Sequence, residues 1–327
     1  MKNNMCAFLS KLLDAPTEPK GKAFEDPIFL LGIMRSGTTL LMNILSEHPQ
    51  LLKVGFELNK VWTEIGGAPC SETCEARTDE DFNSVYTNNM TSYFTKYIEE
   101  SKSIKRHLAR YSAKRHHGSG GVFYDWDNIR LMNKSPHLSN KVKYIHAMYP
   151  NAKFVVIMRS LEGQVSSMKM HFLKLNKSSN WSFYLPNNKT SCWTNIKGKV
   201  SADYDPERLF PSNFNLLSEA WLRLNTKILK DLEGIPQDQK YLLSYEELMA
   251  NQERKLKDVF EFLKLEKQHN AKVEKIIKKN RRIHNTTTKG NPIDKWKKYL
   301  DEFEIDSLVN FKNEHESDIE FVIEKFK

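Results

Sequence analysis

The spacing of apolar positions divides the chain into strand–turn–helix units. In "DPIFLLGI", Asp26 to Ile33, a short apolar run follows a proline and ends near a glycine, which predicts a buried parallel strand. "TTLLMNILSEHP", Thr38 to Pro49, has helical spacing and stops at proline, so Gly32 to Thr39 is predicted to be a strand-to-helix turn. A second unit lies in "NAKFVVIMRSLEGQVSSMKMHF", with a strand over Phe154 to Met158 and a helix over roughly Leu161 to Phe172. A third strand is predicted at "KYLLSY", followed by a helix across "ERKLKDVFEFLKL". Strands alternating with helices predict an α/β fold with a central parallel sheet flanked by helices.

Two stretches break this pattern. Residues 61–130 are polar and mostly helical in spacing, and they include the basic run "KSIKRHLARYSAKRHHGSGG", whose glycines predict a flexible turn. Residues 174–211 are rich in Asn, Ser and aromatics with weak periodicity, which predicts a long loop region of the kind that forms lids or binding loops. The expected organisation is an N-terminal arm over 1–25 and one domain over 26–327, with a helical insert at about 61–130 and the loop region at about 174–211.

Composition narrows the class. Of 327 residues, 39% are hydrophobic and 28% charged, which suits a globular chain and not a disordered one. No stretch of 18 uninterrupted apolar residues occurs, so no membrane span is expected. The apolar patch near the N-terminus is broken by Lys11 and Asp14 and makes a poor signal peptide. Cys6, Cys70, Cys74 and Cys192 are too few and scattered for a disulfide scaffold. Cys70 and Cys74 are near enough in sequence to pair or share a metal. No matching Cys/His pair stands elsewhere, so no metal is expected. Asn-x-Ser/Thr triplets such as Asn89-Met90-Thr91 read as by-products of an Asn-rich composition. A reducing cytoplasm and no membrane association are the resulting expectations. The net charge of +9 suits nucleic acid, an acidic membrane or an anionic small ligand, and does not choose among them.

The first turn makes the choice. "GIMRSGTT", Gly32 to Thr39, matches the glycines of the phosphate loop G-x-x-x-x-G-K-[ST], but Thr38 stands where the lysine belongs. Without that lysine, ordinary ATP or GTP hydrolysis is disfavoured. The anion cradle survives: backbone N–H groups at a helix N-terminus, hydroxyls of Ser36, Thr38 and Thr39, and the cation of Arg35. "RSGTTLL" after a strand resembles the 5′-phosphosulfate loop of the sulfotransferases that use 3′-phosphoadenosine 5′-phosphosulfate (PAPS) and release adenosine 3′,5′-bisphosphate (PAP). "FVVIMRSLEGQVSS" is similar to the family's second motif. It places Arg159 at a strand end and Ser167 eight residues on, where the family clamps the 3′-phosphate; a bidentate guanidinium and a short hydroxyl bond suit that task. "TTTKGNPIDKWKKYL" resembles the family's late K-G…W-K loop and implies further 3′-phosphate contacts from Lys289 and Gly290, and from Lys295 with a one-residue offset. "LLSYEELM" resembles a family strand end whose aromatic, here Tyr245, lies beside the adenine; Tyr245 serves equally well as a core aromatic.

The resemblance implies a P-loop-like α/β fold and sulfuryl transfer to a hydroxyl or amine of a small-molecule acceptor. A glycan or peptide tyrosine is the alternative acceptor. Catalysis by positioning and charge stabilisation then needs a cation on the leaving phosphate and a base for the acceptor's proton. Arg35 takes the first role with the backbone of Ser36 to Thr39. Lys134 in "LMNKSPH" resembles a lysine that assists near the sulfate. Two residues compete as base. Glu57 stands 22 positions after Arg35, close to the spacing in the tyrosylprotein and some glycan and bacterial branches. His137 sits near the histidine of the cytosolic small-molecule branch, with Pro136 intervening. Trp62, Phe123, Tyr124, Trp126, Trp181, Phe183, Tyr184 and Trp193 are candidate acceptor walls or core aromatics. A P-loop kinase or NTPase and a nucleic-acid-binding protein are the readings from other classes; the first lacks its lysine, and the second rests on charge alone.

Overall fold

The computed structural model describes residues 22–70, 74–102, 124–198, 204–266, 291 and 293–326. Lys289, Gly290, Phe123 and most of the basic run, together with most of the expected arm, lie outside the described residues.

Strand β1 (Ile28–Leu31) leads through the predicted turn into helix α1 (Thr38–Leu45), and β2 (Leu51–Lys53) follows. The insert carries α2 (Asn59–Glu64) and α3 (Ser84–Lys102). The chain returns as β3 (Arg130–Lys134), α4 (Val142–Met148), β4 (Lys153–Met158) and the long α5 (Leu161–Ser179). Short strands β5 (Trp181–Tyr184), β6 (Thr194–Lys197) and β7 (Leu209–Phe210) precede α6 (Asn215–Leu232), β8 (Lys240–Ser244), α7 (Tyr245–Ala250) and α8 (Gln252–Phe262). Helices α9 (Trp296–Tyr299), α10 (Glu302–Glu314) and α11 (Glu316–Lys325) close the described chain.

The central sheet has the order β2-β3-β1-β4-β8, and each adjacent pair is parallel. Strands β1, β3 and β4 are buried on both faces, β8 at the edge is mostly half-buried, and alternate residues divide between two cores. Phe29, Leu31, Phe154 and Val156 face one core, which α3, α4, α5 and α6 complete. Ile28, Leu30, Val155 and Ile157 face the other, which α1, α7 and α8 complete. This is the expected parallel α/β architecture, and it is P-loop-like in its strand–loop–helix start.

The structure adds elements that the pattern hides. Strands β2 and β3 do not read as strands because β2 is three residues long and β3, "RLMNK", is mixed in polarity. All five β3 residues are nonetheless buried. The region 174–211 also departs from its reading as a loop. Its first residues extend α5 to Ser179, and Asn180 ends that helix in a left-handed conformation (φ 53°). Strands β5 to β7 then form a small antiparallel sheet of order β6-β5-β7. Strands of two to four residues are too short for alternation to register as a signal. A further correction concerns the cysteines. Cys74 is bonded to Cys192, 118 positions away, and not to Cys70, which remains a buried free thiol pushed up to about 11 by burial.

Candidate active site

The predicted site residues that are described gather outside the carboxyl ends of β1, β3, β4 and β8, where open parallel sheets bind ligands. After β1 the chain makes a turn that most side chains cannot follow. Arg35 lies at φ 67° and Gly37 at φ 110°. A Cβ on Gly37 would stand 2.6 Å from the Tyr245 ring, and one on Gly32 (φ 143°) would stand 2.4 Å from the Ile157 carbonyl oxygen. Both glycines are therefore needed for backbone conformation and for close approach. Among the described residues no side chain caps the start of α1, which leaves its first-turn N–H groups turned to the loop, where an anion would find donors. Ser36 Oγ is buried and has no hydrogen-bond partner among the described residues, as expected of a donor built for a ligand.

The two halves of the predicted nucleotide cradle meet here. Arg35 Nε donates to Ser167 Oγ at 3.3 Å, across 132 positions of sequence. One turn back on α5, Gln164 Nε2 donates to the Met34 carbonyl at 2.7 Å and fixes the loop to the helix. Arg159 leaves β4 with its guanidinium 4.6 Å over the Tyr245 ring, while Trp221 Nε1 donates to its carbonyl at 2.8 Å. Burial and Arg159 both lower Arg35's hold on its proton, and burial does the same to Arg159. Lys295 joins them: burial, then Arg159 and Arg35, pushes its ammonium down to about 8. Three cations crowded at one edge favour an anion between them.

On the other side of the loop, Glu57 Oε1 accepts from Lys134 Nζ at 2.7 Å. Lys134 is 1% exposed and Glu57 26%, so the carboxylate is the more open member of the pair. Asn59 Nδ2 donates to Glu57 Oε2 at 3.2 Å. Asn133, beside Lys134, is fully buried yet satisfied, accepting from Trp62 Nε1 at 3.0 Å and donating to the Val54 carbonyl at 3.1 Å. Burial lowers the Lys134 proton affinity and Glu57 raises it, with Arg35 close enough to lower it again. Phe56, 55% exposed, lies with its ring 4.3 Å from the Lys134 ammonium.

His137 does not join this group as a free base. Its Nδ1 is 2.9 Å from Cys74 Sγ, its ring stacks on Trp193 at 4.3 Å, and burial, then Lys141 and Lys134, pushes it down to about 3. With Cys74 and Cys192 it forms a cluster of metal-ligating atoms within 4.8 Å, but the two sulfurs are bonded to each other. The cluster as it stands offers a metal a single imidazole.

The Sulfotransferase family model matches residues 27–269. The chain belongs to the sulfotransferase family. A putative protein-tyrosine sulfotransferase of Caenorhabditis briggsae is 31% identical over 147 residues, 44% of this chain and 43% of that protein. An uncharacterized protein of Aquifex aeolicus (strain VF5) is 26% identical over 167 residues, 51% of this chain and 20% of that protein. The chain thus spans less than half the length of the curated relatives it matches. Among solved structures, a sulfotransferase from Alicyclobacillus acidocaldarius shares 13% identity and a TM-score of 0.49, covering 91% of this chain and 96% of that one.

Within this family member, three of the seven described candidate acceptor walls are core. Trp62, Phe183 and Trp193 are buried, and Tyr124 and Trp126 pack on the main core. Trp181 and Tyr184 lie half-buried on β5. Three residues not singled out from the sequence lie beside the predicted site residues. Phe56 and Asn133 flank the Glu57–Lys134 pair. His171 on α5 is close enough to Arg35 and Glu57 for both to act on its charge. The spacing Ser167–His171, one helical turn, is the signal that could have found the last of these.

Proposed function

We propose that this sulfotransferase uses PAPS and transfers its sulfuryl group to a hydroxyl or amine of a small-molecule acceptor. The observation that carries the donor reading is the Arg35–Ser167 contact. It joins the anion loop to the helix that carries the second phosphate motif, as a nucleotide with two separate phosphate groups requires. The orphaned Ser36 hydroxyl fits the same ligand. The donor supplies a sulfuryl group on a 5′-phosphate. Arg35, Ser36 and the N–H groups of Gly37 to Thr39 hold the charge that develops on that phosphate. Arg159, Ser167 and Lys295 bind the 3′-phosphate, with Lys289 and Gly290 assigned to it by resemblance, and Tyr245 walls the nucleotide. Glu57 takes the acceptor's proton, and Lys134 orients the carboxylate and faces the transferring group. His137, spent on the disulfide, buttresses the segment after Lys134. No metal is required, because these cations meet the ligand's charge.

A peptide tyrosine is the second acceptor reading, and the 31% identical putative protein-tyrosine sulfotransferase supports it. The compartment follows a different observation. A disulfide persists where the surroundings are oxidising, so the Cys74–Cys192 bond favours such a compartment over the reducing cytoplasm expected from cysteine scarcity. No described helix is long and apolar enough to cross a membrane.

Thermal shift tests the donor reading. At about 100 times its dissociation constant, PAP should add roughly 2.7 kcal/mol, a rise of several degrees, with or without magnesium. ADP and ATP should do much less. A rise confined to ATP with magnesium would overturn the reading.

Lys295 adds a pH dependence. The unfolded chain holds this proton to about pH 10.4, so it binds more protons than the native state between about pH 8 and 10. In that window this lysine makes the free protein more stable as pH rises. A phosphate in the cluster reverses the depression, so PAP binding at pH 8 to 9 should take up protons and weaken as pH rises. Calorimetry in buffers of different ionisation enthalpy measures the uptake, which Lys295→Met should abolish. A buffer-independent enthalpy in the unaltered protein would remove Lys295 from the site.

A further inference from the structure

The mechanism leaves the acceptor itself without an assigned ligand. Helix α5 supplies one. Its residues Gln164, Ser167 and His171 recur at three- and four-residue spacing and share one face of the helix. The first two are already committed to the anion loop, Gln164 to the Met34 carbonyl and Ser167 to Arg35. His171 is next along the same face and is half-buried. Its ring lies edge-on to Phe172 at 5.1 Å, and neither ring nitrogen has a hydrogen-bond partner among the described residues. Burial, then Arg35 and Lys174, pushes the imidazole down to about 4, with Glu57 opposing them. A neutral ring with one donor and one acceptor nitrogen therefore stands at physiological pH one helical turn from the Ser167 hydroxyl that Arg35 contacts.

We propose that His171 binds the acceptor, hydrogen-bonding the nucleophilic hydroxyl or amine group one helical turn beyond the Arg35–Ser167 contact. The proposal rests on the sulfotransferase reading above and deepens it. Glu57 takes one proton from the nucleophile, and His171 satisfies what remains of its hydrogen-bonding capacity. Two contacts fix the direction from which the nucleophile meets the sulfuryl group, whereas one leaves it free to swing. Phe56, exposed beside Lys134, offers the body of the acceptor an apolar surface on the same side of the loop.

The test uses PAP-saturated protein and a panel of small hydroxyl and amine probes, with phenol and aniline as the simplest. Histidine-labelled NMR follows the imidazoles, with the His171 signal assigned by its loss in H171N. Binding of a probe should shift the His171 signal and leave that of His315, between α10 and α11, in place. Turnover with PAPS and the probe that shifts His171 most should show KM raised about tenfold in H171A, with kcat less affected, and partly recovered in H171N; tenfold corresponds to one hydrogen bond of about 1.4 kcal/mol. The PAP-induced rise in melting temperature should be the same in both variants, which shows the fold and donor site intact. An unchanged KM in H171A, or no response of His171 to any probe, overturns the proposal. Failure of PAP to bind the unaltered protein overturns the donor reading instead.

Discussion

Glu57→Gln is expected to lower kcat for sulfuryl transfer by about 10²- to 10⁴-fold while leaving PAP affinity within about twofold. The amide keeps the shape of the carboxylate and can still accept from Lys134, but it takes no proton at any working pH. The substitution removes proton transfer and should leave the loop in place, because the described hydrogen bonds of Glu57 go to Lys134, 77 positions away, and to Asn59, and not to the Gly32–Thr39 turn. Lys134 makes the effect partly structural as well. It is almost fully buried, and losing its counter-charge leaves an ammonium facing a neutral oxygen, so the variant should also be less stable. Arg35→Ala supplies the contrast. It should lower kcat about 10²- to 10³-fold and weaken PAP binding too, since the proposed function sets Arg35 on the leaving phosphate and its side chain spans to Ser167. Single-turnover kinetics with titrated PAP separates the two profiles. A Glu57→Gln enzyme with full kcat would move the base elsewhere, and a variant that loses PAP binding would make Glu57 part of the donor site.

Breaking the Cys74–Cys192 bond should produce the largest change in stability. The bond spans 118 positions, and closing a loop of that order constrains the unfolded chain enough that its loss costs about 2–5 kcal/mol. The surroundings show what is being held. Cys192 N donates to the Cys74 carbonyl at 3.1 Å, and Asn140 Nδ2 bonds the carbonyls of both Cys74 and Thr190. Lys141 Nζ donates to the His137 carbonyl at 2.9 Å, and Arg223 holds the Ser191 carbonyl. The bond therefore ties the insert to the β5–β6 connection behind the segment that leaves Lys134. Cys192→Ser should melt lower by on the order of 5–10 °C, and a dithiol reductant should bring the unaltered protein down to the same point without moving the variant. Equal melting temperatures with and without reductant would show that the bond adds nothing.

How far the sequence could be read depended on whether a requirement was local. The strand–loop–helix start was legible because each demand falls within a dozen residues: two-sided burial of β1, positive φ at Gly32 and Gly37, and free N–H groups at the start of α1. Arg159 and Ser167 were legible for the same reason, since a strand end and the helix after it fix their spacing. These local rules determined the α/β class, the strand-to-helix turn at Gly32 to Thr39 and the family. The tertiary structure alone decided which distant residues meet. It paired Glu57 with Lys134 and turned His137 toward Cys74. It bonded Cys74 to Cys192 and not to its sequence neighbour Cys70, and it carried Lys295 back to Arg35 and Arg159. No periodicity encodes such meetings. They depend on where the returning strand β3 inserts between β1 and β2, and β3 lacks a strand pattern because its buried polar residues are satisfied by partners 71 to 133 positions away.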